Sequence, residues 1–280
     1  MIRPSPGAEP GPWQEVAEGV YVCVAEPATV NLGLIVGSHS ALVVDTGSSP
    51  AQGRLLRKRV AEVTSLPLAG AVATHWHYDH AFGLAGFGDL TTYAHESVRE
   101  RLLGPLAAAA AADLGVNPAD LSMPARELAV ATAVELGARR VELAHLGRGH
   151  TDGDLVVVVP DADVVFTGDL IETADAPWFG ADSYPHEWAA SLDSVIGVMT
   201  GKTVAVPGHG SPANREFVFG QRGRIAAVSG EIRRLKEAGV ALSAALETGS
   251  WPFSAEHVSE GIEPGYRQLG ATGRATLPLI

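Results

Sequence analysis

The segment AGAVATHWHYDH, residues 69–80, indicates both the fold class and the chemistry of this chain. Its small apolar residues 69–73 predict a short buried strand, which runs directly into His75, His77, Asp79 and His80. With 10 histidines in 280 residues, the pattern His-x-His-x-Asp-His arises by chance only about 0.0006 times per chain. We therefore interpret these four residues as metal ligands and not as ordinary core or surface side chains.

The spacing within this cluster suits two metal ions. Where the chain is extended, His75 and His77 point to the same side, so both imidazoles can bind one ion. If a helix begins at Asp79, the side chains of Asp79 and His80 diverge from that pair and can bind a second ion. Two ions about 3.5–4 Å apart need a bridging ligand, and the two carboxylate oxygens of Asp169 suit that role.

Other polar residues follow or border apolar strands in the same way: Asp45, His150, Asp169 and His209. Functional sites are commonly built where strand ends and loops meet at one edge of a rigid sheet. We therefore expect these residues to converge with the cluster at 75–80.

Two segments of the chain resemble each other: LIVGSHSALVVDTGS at 34–48 and VVVVPDADVVFTGD at 156–169. Each is typical of a strand, a four-residue turn and a second strand, with Thr-Gly near its end. Helical periodicity lies between such strands, for example at 50–64 and 188–199. The pattern predicts an α/β sandwich of two related halves, with helices outside two central sheets.

The domain organisation follows from composition along the chain. Residues 1–12 are rich in Pro and Gly and predict a flexible N-terminal tail, followed by a single domain over 13–280. An Ala- and Leu-rich stretch predicts a helical insertion near 96–140. Helical spacing over 221–245 predicts a C-terminal helical segment.

Charge and cysteine content exclude several function classes. The chain has 20 Lys+Arg against 32 Asp+Glu and a net charge of −12, which argues against a nucleic-acid or anionic-membrane partner. A single cysteine, Cys23, excludes an internal disulfide and a cysteine-clustered metal site. No apolar run has the length of a membrane span or a signal peptide. We expect a cytoplasmic protein that acts on a small-molecule substrate, and the sequence leaves its oligomeric state open.

Five motifs together resemble the metallo-β-lactamase superfamily. In chain order they are Asp45, HWHYDH at 75–80, GHTDG at 149–153, TGD at 167–169 and PGHG at 207–210. The resemblance covers about residues 13–220 of the chain. It implies a four-layer αββα sandwich with the site at one edge of the sheets.

The same resemblance implies a role for each motif residue. His75, His77 and His150 would bind the first metal, Asp79, His80 and His209 the second, and Asp169 would bridge the two. Asp45 would orient a metal ligand through a hydrogen bond, as metal-bound imidazoles commonly require.

Within the superfamily, glyoxalase II has the same ligand set, and the chain is most similar to that dinuclear zinc branch. Lactamases with a Cys in the second-metal set are excluded because Asp169 stands at that position. Quorum-quenching lactonases often have a Tyr where this chain has Glu172. Two alternatives stay open: a sulfur or persulfide dioxygenase with one Fe²⁺, and a β-lactamase.

The implied reaction is hydrolysis of an ester, thioester, lactone or lactam. Two Zn²⁺ per chain would lower the pKa of a bridging water to about 7 and so provide a hydroxide nucleophile. Asp79 is the candidate catalytic residue, since a carboxylate beside the metal can steer or accept a proton. The candidate substrate-pocket residues are aromatic side chains near the ligands: Trp76, Tyr78, Trp178, Phe179 and Tyr184.

Overall fold

A computed structural model describes residues 7–271 of the chain. The strands are β1 (Gln14–Ala17), β2 (Val20–Ala25), β3 (Val30–Val36), β4 (Ala41–Val44), β5 (Leu68–Val72), β6 (Thr91–His95), β7 (Arg126–Leu128), β8 (Ala131–Glu135), β9 (Arg140–His145), β10 (Leu155–Val159), β11 (Val164–Glu172) and β12 (Val204–His209). The α-helices are α1 (Pro50–Arg59), α2 (Tyr78–Ala81), α3 (Ser97–Leu102), α4 (Pro105–Leu114), α5 (Pro185–Val198), α6 (Arg215–Glu237), α7 (Leu242–Thr248) and α8 (Ala255–Ala271).

The strands form two halves that meet between β3 and β12. Their order is β7-β6-β5-β4-β3-β12-β11-β10-β9-β8, with β2 also paired to β3 and β1 to β2. The link between β3 and β12 is one residue pair, Val30 opposite His209. In one half the antiparallel hairpin β3–β4 is followed by the parallel strand β5. In the other half the hairpin β10–β11 is followed by the parallel strand β12. The two similar sequence segments therefore occupy equivalent positions in the two halves.

The faces of the strands divide the apolar residues into layers. On β10, Leu155 and Val157 enter a central core together with residues from the other half, such as Leu42 of β4. Val156 points the opposite way and packs with α5, α6 and α8. On the far side, Val43 of β4 packs under α1. Because side chains alternate along a strand, each sheet covers the central core with one face and its helices with the other. The chain therefore has the mixed α/β fold of an αββα sandwich.

The predicted helical insertion near 96–140 is only partly helical. Helices α3 and α4 lie within it, but residues 126–145 form the strands β7, β8 and β9. In RVELAH, residues 140–145, the buried Val141 and Leu143 alternate with the exposed Arg140 and Glu142. That two-residue period is typical of a strand, and the high Ala and Leu content of the preceding residues concealed it.

The predicted flexible tail is wrong for residues 8–11, which are bound to the rest of the protein. The Gln52 side-chain amide donates to the carbonyl oxygen of Ala8 at 2.9 Å, and the Arg59 guanidinium donates to that of Pro10 at 2.8 Å. The Gly11 amide donates to the Val24 carbonyl at 2.8 Å. Residues 1–6 of the predicted tail lie outside the described residues.

The C-terminal part of the described chain consists of α6, α7 and α8. Val218, Ile225 and Ile232 of α6 are buried against the outer face of the second half. In the range 7–271, none of the helices has the length and apolar character needed to cross a membrane.

Candidate metal centre

The topology brings the predicted ligands to one edge of the two halves. Strands β4 and β5 run parallel, so Asp45 after β4 and residues 74–80 after β5 leave the sheet at the same end. Strands β11 and β12 are also parallel, which places Asp169 of β11 near His209 at the end of β12. His150 precedes β10, whose start lies beside the end of its antiparallel neighbour β11.

The local backbone at residues 74–80 differs slightly from the prediction. The chain leaves β5 at Val72, bends through residues 74–77, and begins α2 at Tyr78 instead of Asp79. The rings of His75 and His77 nevertheless lie on the same side, with their centroids 4.7 Å apart. The bend and the helix place the ligand atoms of Asp79 and His80 in a different group from that of His77.

A first group of side chains comprises His75, His77, His150 and Asp169. Each offers one ligand atom, and these atoms all lie within 4.8 Å of one another. Nε2 of His150 lies 2.8 Å from Nδ1 of His77. The Asp169 Oδ2 atom lies 3.4 Å from His150 Nε2 and 3.8 Å from His75 Nε2.

A second group comprises Asp79, His80 and His209, whose ligand atoms also lie within 4.8 Å of one another. Asp79 Oδ2 is 3.2 Å from His209 Nε2 and 3.6 Å from His80 Nε2. The other oxygen of Asp169, Oδ1, faces this group at 3.3 Å from His80 Nε2 and 3.5 Å from His209 Nε2. Asp169 thus presents one oxygen to each group.

Gly208 allows this close approach of β12 to Asp169. A Cβ atom on Gly208 would lie 1.8 Å from Asp169 Oδ1 and 3.0 Å from Cε1 of His80. Any side chain there would therefore displace Asp169, which explains the glycine at position 208.

Each of the five histidines uses its outward ring nitrogen for a hydrogen-bonding contact. These contacts are His75 Nδ1 with Thr74 Oγ1 at 3.2 Å, His77 Nε2 with Asp182 Oδ2 at 3.2 Å, His80 Nδ1 with Asp45 Oδ2 at 2.8 Å, His150 Nδ1 with the Trp178 carbonyl at 3.2 Å, and His209 Nδ1 with the Ala28 carbonyl at 3.1 Å. Metal-binding histidines usually have such an outer partner, which fixes the ring orientation and the tautomer.

Asp45 holds two parts of the site together. Its Oδ1 accepts from the Thr74 amide at 2.7 Å, and its Oδ2 accepts from the Thr74 hydroxyl at 3.0 Å. The same Oδ2 contacts His80 Nδ1. The backbone of Asp45 is left-handed, with φ of 58°, a conformation that Asp tolerates better than most residues. Such strained residues concentrate at functional sites.

The inward-facing atoms fit a bound cation. His75 Nε2, His80 Nε2 and Asp169 Oδ1 are buried and have no hydrogen-bond partner. Unsatisfied buried polar atoms are costly and rare in folded proteins. Bound metal ions would satisfy three such atoms at the meeting point of the two groups, since imidazole and carboxylate are suitable metal ligands.

Two of the three imidazoles in the first group are neutral. Burial lowers the pKa of His150 to about 4 and the pKa of His75 well below its usual range. Burial acts in the same direction on His77, but the hydrogen-bonded Asp182 carboxylate outweighs it and raises the pKa of His77.

The second group consists of ion pairs. Burial would lower the pKa of His209, but Asp169 and Asp79 outweigh it and raise the pKa to about 12. Asp169 and Asp45 likewise raise the pKa of His80 well above its usual range, against the effect of burial. Burial would raise the pKa values of Asp79 and Asp169, yet His80 and His209 lower both.

The predicted pocket aromatics have different environments. Phe179 is fully buried in the core beside α5, and Trp76 is buried with its Nε1 donating to Asp182 Oδ2 at 2.8 Å. Tyr184 lies under the Arg148 guanidinium, 4.4 Å from its ring centroid, and lines a surface cavity with His95 and His145. The pocket prediction is therefore wrong for Phe179, which packs in the core. Tyr78 is half-buried and Trp178 is 41% exposed.

Two carboxylates that support the site were missed in the sequence. Asp182 contacts both Trp76 and His77, and it belongs to a loop without a recognisable motif. Asp154 accepts from the Thr151 amide at 3.0 Å and from the Thr151 hydroxyl at 2.6 Å, which fixes the turn after His150. The sequence Thr-Asp-Gly-Asp at 151–154 is a turn signal that predicts such a contact.

Known proteins share this sequence pattern. The model of the metallo-beta-lactamase superfamily matches residues 25–209. The chain is 25% identical to a metallo-beta-lactamase type 2 of Bacillus sp. (strain 170) over 210 residues, which are 74% of this chain and 76% of that protein. It is 24% identical to a metallo-beta-lactamase type 2 of Bacteroides fragilis over 187 residues, 66% of this chain and 70% of the relative.

Solved structures share the fold. A metallo-beta-lactamase from Pontibacter korlensis has a TM-score of 0.64 at 19% identity and covers 77% of this chain and 98% of its own. The mono-zinc form of the metallo-beta-lactamase FIM-1 from Pseudomonas aeruginosa has a TM-score of 0.65 at 21% identity, covering 80% and 98%. The family match spans most of the chain and includes strands β3 to β12 and all the candidate ligands described above, and the chain therefore belongs to the metallo-beta-lactamase superfamily as a metal-dependent hydrolase.

Proposed function

We propose that the protein is a dinuclear zinc hydrolase that cleaves an ester, thioester, lactone or lactam bond of a small molecule. Within the superfamily we assign it to the glyoxalase II-like branch. A cytoplasmic location and the absence of a nucleic-acid partner stay predictions from the sequence.

One observation carries this proposal: the two oxygens of Asp169 face two separate ligand groups. Oδ2 lies 3.4 Å from His150 Nε2, and Oδ1 lies 3.3 Å from His80 Nε2. A carboxylate between two sets of ligands is the arrangement expected of a two-metal site. His75, His77 and His150 would hold one ion, and Asp79, His80 and His209 the other.

Two divalent ions bound here would supply Lewis acidity for the carbonyl and a water with a pKa near neutrality. The protein's own residues fix where that chemistry happens. Thr74, Asp45, Asp182 and two main-chain carbonyls hold the five imidazole rings in position. Asp79 is ionised, because His80 and His209 lower its pKa, and it is the carboxylate that we assign to accept or steer a proton.

Metal identity and stoichiometry test the proposal most directly. We would purify the wild type without added metal and measure its metals by elemental mass spectrometry, with His75→Ala and Asp169→Ala in parallel. We expect about two Zn²⁺ per chain in the wild type and less in both variants. A matched control is Asp113→Ala, which removes an exposed carboxylate at the end of α4 and should retain both ions.

The same measurement separates the alternatives. About one iron per chain would contradict the zinc hydrolase and favour the sulfur or persulfide dioxygenase. If zinc is present, a screen of thioesters, esters, lactones and a chromogenic cephalosporin follows. The named relatives are metallo-beta-lactamases, so cephalosporin hydrolysis faster than thioester hydrolysis would contradict the glyoxalase II-like assignment and favour a β-lactamase.

A further inference from the structure

Glu172 reaches the metal centre because of an irregularity in β11. Residues three apart in a regular strand point to opposite faces. Here Gly168 lies opposite Pro207 and Glu172 opposite His209, so four steps along β11 match two steps along β12. Such a bulge changes the direction of side chains. Asp169 and Glu172 consequently both face His209, and the ligand atoms of these three residues lie within 4.8 Å of one another.

The local contacts hold the Glu172 side chain in this place. Its Oε1 accepts from the Ala174 amide at 3.3 Å, and its own amide donates to Gln221 Oε1 at 3.3 Å. The side chain is half-buried, and the charged groups that act on it are Asp169, His209 and His80. A carboxylate held against another carboxylate is unfavourable unless a cation or a proton compensates for the repulsion, and a bound metal ion is such a cation.

We propose that Glu172 is a further carboxylate of the second metal position, the one formed by Asp79, His80 and His209. This inference rests on the proposed two-metal site. It makes the two positions chemically different: the first is formed by three imidazoles and the shared Asp169, whereas the second has two imidazoles and three carboxylates. Because oxygen ligands suit harder cations, Glu172 strengthens binding of Mn²⁺ at the second position more than binding of Zn²⁺.

The test compares metal affinities of the wild type, Glu172→Gln and Glu172→Ala. Each protein is stripped with a chelator and titrated with Zn²⁺ or Mn²⁺ against a chromophoric chelator. We expect the first cation to bind all three proteins with the same affinity. The second cation binds the variants about 10- to 100-fold more weakly, with the larger loss for Mn²⁺. The control is Glu135→Gln, which neutralises an exposed glutamate of β8 that pairs with Arg140.

Thermal unfolding distinguishes this role from a structural one. Without metal, Glu172→Gln replaces the carboxyl group with an amide of the same shape beside Asp169, so its Tm should equal or exceed that of the wild type. With metal, the increase in Tm should be smaller than in the wild type. A metal-free Tm well below the wild-type value, or a second-cation affinity within about threefold of it, would overturn the role of Glu172. A wild type that binds only one cation would instead overturn the two-metal proposal itself.

Discussion

The two ligand groups share Asp169 but differ in charge. The first has three imidazoles, two of which are kept neutral by burial. The second pairs the protonated forms of His80 and His209 with the carboxylates of Asp79 and Asp169. The same two residue types therefore form a nitrogen-rich position with two neutral imidazoles and an oxygen-rich position with two charged ones within a few ångströms.

This difference follows from where the carboxylates lie. In the first group the nearest additional carboxylate, Asp182, is behind His77 and contacts its outward nitrogen. In the second group Asp79 is itself among the ligand atoms, 3.2 Å from His209. Asp182 orients His77 and raises the pKa of that one imidazole, whereas Asp79 and Asp169 lie among the ligand atoms of the second group and raise the pKa values of both its imidazoles. The two positions should therefore respond differently to mutation and to pH.

Replacing the shared residue should have the largest effect. Asp169→Asn leaves the shape of the side chain but removes its charge from both groups. We expect both cations to bind more weakly by more than about 100-fold, since even residues behind the ligands contribute 10- to 100-fold. Isothermal titration of the metal-free protein measures this. Loss of only one cation would show that Asp169 belongs to one group and does not bridge.

Replacing the carboxylates that contact the outward ring nitrogens of His77 and His80 should weaken the two metal positions one at a time. Asp182→Asn should weaken the first cation about 10- to 100-fold through His77, and Asp45→Asn should weaken the second by a similar factor through His80. Competition titrations that resolve the two binding steps provide the measurement. Equal losses at both steps in either variant would contradict the separation of the groups, and unchanged near-UV circular dichroism would exclude misfolding.

The clustering of the proposed ligands could be predicted from the sequence because metal binding restricts both residue type and spacing. His75 and His80 belong to one short motif, and the topology brings that motif to the end of β5 beside Asp45. The mixed α/β fold was predictable for a related reason, since a continuous apolar run such as residues 155–159 favours a strand that is buried on both faces.

The remainder of the site depends on contacts that no local pattern encodes. Asp182 reaches His77 across 105 residues of sequence, along a loop whose course is set by the burial of Phe179 in the core. The orientation of Glu172 depends on a bulge between β11 and β12, and neither strand's sequence marks it. The strands at 126–145 were missed because Ala and Leu favour helices, while burial of Val141 and Leu143 in the core decided otherwise.

The pH dependence of metal binding should differ between the positions. A cation binds neutral imidazole, so each histidine that is protonated in the metal-free protein must release a proton. The pKa of His209 is raised to about 12 and that of His80 is raised well above its usual range, so the second cation displaces two protons from these histidines. Burial and Asp169 raise the pKa of Glu172 to about 8, so the second cation also displaces a proton from Glu172 if that residue is a ligand. The apparent association constant of the second cation therefore rises at least about 100-fold per pH unit, whereas the first cation displaces at most the proton of His77 and gains at most about tenfold per pH unit. Titrations between about pH 6 and 8 measure both slopes, and equal slopes would contradict the assigned charges.

The smallest predicted effect concerns Trp178, on the side of the first position. Its carbonyl oxygen contacts His150 Nδ1 at 3.2 Å, but its indole is 41% exposed and free to touch a substrate. Trp178→Ala keeps the carbonyl, so both metal affinities should be unchanged. Loss of apolar contact on the order of 1 kcal/mol should raise KM about fivefold on the best substrate of the screen, with kcat nearly constant. The matched variant Tyr78→Phe retains an aromatic ring beside the second position and should leave KM within about twofold. If Trp178→Ala lowers metal content instead, its side chain supports His150, and the pocket assignment of Trp178 is wrong.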